Sequence, residues 1–336
     1  MKKLVAFVLL FSVLTSSAFA QLTLRGSAYI GIQLEKEDGS DAAVSAHHRK
    51  EGTPLFNFAA IASRENFGVK LDTSFRYTGT NDTSADFSLE GIYGWANLWD
   101  NSLRLTLGKI SDPVWVVNLN PRLPVWSFDD IKGFRLEYRT PLPGLSVGTA
   151  LRTEGDDPGQ IAKWAIFGAA YFHPLFNIVF AYDLSRNAQT LLGVNFTGIN
   201  ALTAGLQLRA IHLASWSSDP VFYGQLEMFQ KAAYRVIRPL ELSLILGQRI
   251  YGLAGKEVFL SFMPGVSYRF SPNLTALFDI EVNSDNQFST TNMIVTPSIE
   301  FSLGGPALLY FQYQLELPAM SNPIHRIGFG LEIRAF

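Results

Sequence analysis

The stretch Phe67-Gly68-Val69-Lys70-Leu71-Asp72-Thr73-Ser74-Phe75-Arg76-Tyr77 alternates apolar and polar side chains from one end to the other. Its odd-numbered positions are apolar apart from one Thr, and its even-numbered positions carry Gly, Lys, Asp, Ser and Arg. A period of two places every other side chain on the same face of a β-strand. The stretch is therefore predicted to be a strand with one apolar and one polar face.

The same alternation returns at 240–246, 258–270 and 307–315. The strands predicted from such segments are about eight to fourteen residues long, whereas strands of soluble proteins cluster near about five or six. A strand that crosses a bilayer at a tilt needs about nine to eleven. The repeated pattern favours an all-β, transmembrane, antiparallel up-and-down barrel.

Marking every such segment gives about eighteen strands, an even number, as expected of a membrane barrel. The segments 55–64, 177–185 and 220–231 alternate less clearly, so sixteen strands remain an alternative. Short turns of Pro, Gly, Asn or Ser, and a stretch at 232–238, alternate with longer polar connections. The predicted strands are 22–34, 55–64, 67–79, 86–99, 103–110, 131–140, 145–152, 161–173, 177–185, 189–198, 201–213, 220–231, 239–251, 257–270, 273–282, 291–303, 307–317 and 324–336.

The first twenty residues have the pattern of an export signal. Lys2-Lys3 precede an apolar run at 4–14, and Ala18-Phe19-Ala20 matches an A-x-A cleavage site. We expect residues 1–20 to be removed and 21–336 to form the barrel. After residue 20 no apolar run is long enough for a transmembrane helix.

Composition excludes several classes of function. Lys and Arg number 27 against 29 Asp and Glu, so no nucleic-acid partner is indicated. The chain has no Cys and therefore forms no disulfide. The five His residues fall within no metalloprotease or hydrolase motif, and His47-His48 lies in a charged connection where a solvated surface is expected. We expect neither an enzyme nor a cofactor or metal site.

The export signal, the alternating strands and the aromatic end at Phe336 together resemble the porin class of outer-membrane proteins. The resemblance implies an outer-membrane location, contact with lipid, insertion by the barrel-assembly machinery and passive diffusion of small hydrophilic solutes. A homotrimer is left open. The alternatives are an adhesin or structural barrel without a transport role, and a soluble β-sandwich.

Inward-facing charges are expected to line a water-filled lumen, because a barrel of sixteen or eighteen strands is too wide for its own side chains to fill. Both signs occur in similar number, so strong ion selectivity is not expected, and local pairing of these charges is an equal alternative. The predicted pore-lining residues are Arg25, Lys70, Asp72, Arg76, Glu90, Arg104, Arg135, Glu137, Arg139, Arg152, Arg249, Arg269, Asp279 and Glu281.

The connection at 111–130 is unusually apolar for a segment in water. The third external loop of porins folds into the barrel, and this connection holds the same position. We expect Trp115 and Trp126 to anchor it to the wall, with Asp112, Asp129 and Asp130 near the narrowest point. Arg122 belongs to the same predicted constriction loop. The alternative is a loop packed over the rim or against a neighbouring subunit.

An aromatic girdle is predicted at the periplasmic end of the fourth strand. Tyr93, Trp95 and Trp99 share the parity of Phe87 and Leu89, so strict alternation places all five on the membrane face.

Overall fold

A computed structural model describes residues 21–49, 52–77, 85–118, 125–128, 131–152, 164–184, 189–211, 224–251, 257–285 and 290–334. Within these ranges no helix is long and apolar enough to cross a membrane. The strands are β1 Gln21–Glu37, β2 Ala43–Ala46, β3 Leu55–Arg64, β4 Phe67–Tyr77, β5 Ala85–Leu98, β6 Leu103–Ile110, β7 Val114–Val117, β8 Trp126–Phe128, β9 Ile131–Arg139, β10 Leu145–Arg152, β11 Trp164–His173, β12 Phe176–Asp183, β13 Gln189–Ile199, β14 Leu202–Ile211, β15 Gln225–Ile237, β16 Leu240–Tyr251, β17 Glu257–Ser271, β18 Leu274–Ser284, β19 Thr291–Gly304, β20 Ala307–Leu317 and β21 Ile324–Ile333.

Eighteen of these strands form a closed antiparallel barrel. Each long strand pairs with its neighbours in the chain, and β21 closes the sheet on β1 from Ala28↔Ile333 to Glu37↔Ile324. β2 adds a short extra strand beside the far end of β1. The prediction of about eighteen strands is confirmed. Residues 1–20 and Phe336 lie outside the described part of the chain.

The two faces of the barrel differ sharply in chemistry. One face carries exposed apolar side chains such as Phe58, Leu246 and Phe311, as a surface in contact with lipid requires. Among the described strand residues no Asp or Glu occupies this outward face. The four charged residues that do occupy it are all basic and lie at or beside strand ends: Lys36, Arg64, Lys109 and Lys132.

The largest difference from a predicted strand boundary is at the end of β15. β15 runs to Ile237, whereas 232–238 was expected to be a connection. Ala232 to Arg235 continue the pairing with β16, and Tyr234 and Val236 keep the outward apolar alternation. The turn is therefore confined to Arg238 and Pro239, where Pro cannot donate a ladder hydrogen bond.

The third long connection forms a small hairpin of β7 and β8, which we call the inner hairpin. Its residues share a buried apolar cluster with inward-facing wall residues of several strands. That cluster is the main apolar core of the described residues, and it lies inside the barrel. It comprises Tyr93, Ile110, Trp115, Val117, Trp126, Phe128, Ile131, Ala150, Ile166, Ala170, Val179, Ala181, Leu191, Phe229, Ile245 and Met263.

Candidate functional site: the barrel interior

One strand of the inner hairpin packs against glycine residues of the wall. The indole of Trp115 lies where a Cβ on Gly168 would point, and a side chain on Gly148 would also meet it. Val117 occupies the equivalent space over Gly193. Both hairpin side chains are buried, Trp115 to 8% exposure and Val117 to 2%. Glycine at these wall positions lets the hairpin lie directly on β10, β11 and β13.

The other strand of the inner hairpin packs against a second part of the wall. The rings of Trp126 and Phe229 are 5.8 Å apart and both side chains are buried. The guanidinium groups of Arg209 and Arg249 stand 5.9 Å from the Trp126 ring and 5.4 Å from the Phe229 ring, respectively, and both approach Glu227. The hairpin thus contacts the inner wall from β10 to β15.

A polar cluster holds the start of the inner hairpin. Lys70 Nζ lies 2.6 Å from Asp112 Oδ1 and 3.0 Å from Asp72 Oδ2, and the hydroxyl of Tyr93 donates to the second oxygen of Asp112. Arg135 donates to the Asp112 carbonyl at 3.3 Å. Burial opposes the charge on Asp112, but the hydrogen bonds from Lys70 and Tyr93 outweigh it and hold the pKa of this carboxyl below its usual value.

The predicted aromatic girdle is wrong for two of its three members. The pairing of β4 with β5 shifts after Asp72, leaving Glu90 as an extra residue, and beyond it Ile92 and not Tyr93 faces outward. A β-bulge of this kind reverses every later side chain, because the period of a strand is two.

Tyr93 is accordingly 3% exposed and lies inside, where Trp95 stacks beneath the guanidinium of Arg104 at 5.1 Å. Trp99, in the turn after β5, is 72% exposed. It remains a candidate for contact with the membrane interface.

A second inward segment comes from the first connection, which the sequence analysis treated as solvated surface. His48 is fully buried, and its ring lies 5.1 Å from the rings of both Tyr29 and Tyr310. Arg49 forms an ion pair with Glu300, and its guanidinium lies 4.4 Å from the Tyr310 ring. The expectation of an exposed His pair is therefore wrong at His48. Two adjacent His residues gave no periodic signal that could have placed them inside.

Arg326 joins two carboxylates on the inner face near this segment. Its Nε lies 2.6 Å from Glu35 Oε2 and its Nη1 lies 2.5 Å from Glu316 Oε2. Asn292 also donates to Glu316 at 3.3 Å. The three strands β1, β20 and β21 thus share one positive charge between two negative ones.

Strand pairing places the predicted pore-lining residues on the inner face, with one side chain left undescribed. Several are paired with a neighbour: Lys70 with Asp72, Arg135 with Glu137 at 3.0 Å, and Arg249 with Glu227. The side chain of Arg152 lies outside the described part, as do residues Arg122, Asp129 and Asp130. The inner-face residues are Arg25, Lys70, Asp72, Arg76, Glu90, Arg104, Arg135, Glu137, Arg139, Arg249, Arg269, Asp279 and Glu281.

Sequence comparison finds no matching family model and no matching curated protein. Solved structures match over nearly the whole chain. An anion-selective porin from Comamonas acidovorans has a TM-score of 0.60 at 12% identity, covering 94% of this chain and 100% of its own. Pseudomonas aeruginosa OccD3 (OpdP) has a TM-score of 0.62 at 11% identity, covering 94% and 91%.

The outer membrane protein opdK from Pseudomonas aeruginosa has a TM-score of 0.59 at 11% identity, covering 94% of this chain and 99% of its own. Identity this low carries the likeness of fold and no further. The likeness of fold covers nearly the whole of each chain. The chain therefore has the fold of an outer-membrane porin-type β-barrel.

Proposed function

We propose that this protein is an outer-membrane channel through which small polar solutes diffuse passively. The observation that carries the proposal is the division of charge between the two faces of the closed barrel. Acidic strand residues of the described part all face inward, and the described outward face carries no charge between its basic ends. Such a surface suits lipid, and such an interior suits water.

The wall supports a hydrated path near the end of the barrel where the short turns lie. Arg25, Arg139 and Arg269 face inward and are exposed to solvent. An eighteen-stranded barrel encloses more space than wall side chains fill. The inner face as a whole carries charges of both signs, which favour polar or zwitterionic solutes over a strong preference for either ion.

The inner hairpin is proposed as the constriction of this path. Because Trp115 and Trp126 fix it against the inner wall, the hairpin occupies part of the lumen and reduces the cross-section that is open to solutes. Lys70, Asp112 and Arg135 stand at its base and Arg104 nearby, so they are proposed to contact passing solutes. The 47–49 segment narrows the interior from the side of β19 and β20.

Planar-bilayer recording of refolded protein tests the proposal. We expect discrete conductance steps that rise when residues 113–127 are deleted, since the hairpin then no longer occupies the lumen. Folding of both proteins is checked by the shift in gel mobility that intact barrels show before boiling. Folded barrels without conductance would favour the adhesin or structural role, and an unchanged conductance in the deletion would refute the constriction alone.

Export by residues 1–20, insertion by the barrel-assembly machinery and residence in the outer membrane belong to the same proposal. They are supported by the export pattern at the start of the sequence and by the apolar outward face. Fractionation of expressing cells tests them: we expect the protein in the outer-membrane fraction with Gln21 as its first residue. Recovery in the soluble periplasm would contradict this placement.

A further inference from the structure

The outward face of β15 and β16 carries two glutamines within the membrane-facing band. Gln230 is the sixth of thirteen residues of β15, and Gln248 is the ninth of twelve residues of β16. Both alternate with inward positions and are exposed, and their partners across the sheet are apolar: Leu206 and Leu246 for Gln230, Met228 and Leu260 for Gln248. They are diagonal neighbours on adjacent strands.

These amides are unusual for their position. On the described strands, every other outward residue away from the strand ends is apolar, Gly, Pro or Thr. The described contacts of Gln230 amount to one long hydrogen bond, 3.9 Å, from its amide nitrogen to the sulfur of Met228, and Gln248 has none. Acyl chains cannot satisfy an amide, so a polar partner at the same depth is needed.

A shallow groove lies directly beside Gln230. It has a volume of about 490 Å³ and is lined on the outward side by Ala204, Ala232 and the larger side chains of Val194, Leu206 and Leu244. Small residues let another surface approach the sheet closely, which strengthens packing where no hydrophobic effect operates. The groove and the amides therefore form one continuous patch across β13 to β16.

We propose that this patch binds the same patch on a second copy of this chain, forming a two-fold dimer in the membrane. A glutamine amide is both donor and acceptor, so two copies of Gln230 and Gln248 can satisfy each other. A ring of three would set this patch against a different outward surface, and the described strands carry no further outward amide. A two-fold contact is the arrangement that pairs the amides.

The small residues of β11 do not offer a second contact of this kind. Gly168 and Ala170 face inward beneath the inner hairpin and are closed to another subunit. The dimer requires the membrane placement of the barrel but not its conduction, so the two proposals fail separately. A monomer that conducts would refute the dimer, and a dimer without conductance would refute the channel.

The absence of Cys from the chain makes disulfide mapping direct. Ala232→Cys keeps both glutamines and lies outward in the groove. Under mild oxidation in membranes, we expect Ala232→Cys to yield a covalent species of two chains, because a residue near a two-fold axis meets its own copy. Phe311→Cys, outward and exposed on β20, is the matched control and should remain single.

Replacing both amides completes the test. Gln230→Leu with Gln248→Leu should lower the cross-linked fraction of the Ala232→Cys protein by tenfold or more. Leucine suits lipid at both positions, so the barrel should fold and its gel shift on boiling should persist. A single-chain band from Ala232→Cys, a cross-linked band of another mass, or cross-linking unchanged by the double substitution would each overturn the two-fold pairing.

Discussion

The ammonium group of Lys70 lies 2.6 Å from Asp112 Oδ1, which ties the wall strand β4 to the residue that begins the inner hairpin. The Ser111 hydroxyl, which donates to Asp72 at 2.9 Å, also joins β4 to that connection. The hydroxyl of Tyr93 and the guanidinium of Arg135 reach the same residue. The carboxylate of Asp112 thus links the connection to β4 and β5, and its backbone carbonyl links it to β9.

Acidification should loosen this link. The pKa of Asp112 is below its usual value in the folded protein, so the folded state holds this carboxyl in its charged form more strongly than the unfolded chain does. Its contribution is complete above the unfolded pKa of about 3.9 and is lost as the pH falls through the folded value. We expect hydrogen exchange in residues 114–117 to accelerate below about pH 4.

Asp112→Asn should remove this pH dependence and destabilise the hairpin at neutral pH by about 1 kcal/mol, the order expected for a partly exposed ion pair. Asp86→Asn, at an exposed position of β5, is the matched control. If hydrogen exchange in the Asp112→Asn protein still accelerated on acidification as it does in the unsubstituted protein, the Asp112 carboxylate would not be the group that holds the hairpin.

Cysteine accessibility should reveal the bulge in β5. Ser88 and Asn97 face inward on either side of it, although their parities differ, and Ile92 faces outward. We expect a membrane-impermeant thiol reagent to modify Ser88→Cys and Asn97→Cys in the folded barrel and to leave Ile92→Cys unmodified in lipid. Strict alternation from Ser88 would instead make Ile92→Cys reactive and protect Asn97→Cys.

The same bulge marks where sequence reasoning stopped being sufficient. Strands such as β4 and β17 are predictable because lipid and water each select one face, and any slip is costly. The extra residue in β5 has a weak signal: Glu90 and Gly91 interrupt the alternation, after which Ile92 and Leu98 are apolar at even positions. The prediction carried the parity of Phe87 through this interruption.

The inserted segments were predictable only in part. Trp115 and Trp126 indicated an anchored loop because large apolar side chains need cover. The burial of His48 depends on Tyr29 and Tyr310, which come together only when β1 meets β20 through β21. Contacts of this kind arise from barrel closure, and no local pattern encodes them.

A methyl group at Gly168 should displace the inner hairpin. Its Cβ would overlap the indole of Trp115, so Gly168→Ala is expected to destabilise the barrel by about 1–3 kcal/mol. Gly94→Ala is the control, since its Cβ would meet its neighbours at 3.5 and 3.6 Å. Because Trp115→Ala removes the overlap, the double variant should be more stable than the sum of the two changes predicts. Additive losses in thermal unfolding would contradict the contact.

Removing the charge of Arg326 should make the channel prefer cations. Glu35 and Glu316 share this guanidinium at 2.6 and 2.5 Å, so Arg326→Gln leaves two carboxylates on the inner face without their common counter-charge. We expect the cation-to-anion permeability ratio, measured from the reversal potential in a salt gradient, to rise on the order of twofold. The shift should be larger at 0.1 M than at 1 M salt, because the Debye length falls from about 10 to 3 Å. Arg64→Gln makes the same change in net charge on the outward face, so this control variant should leave the permeability ratio unchanged. Equal shifts in both variants would mean that net charge, and not the position of Arg326 in the lumen, sets the selectivity.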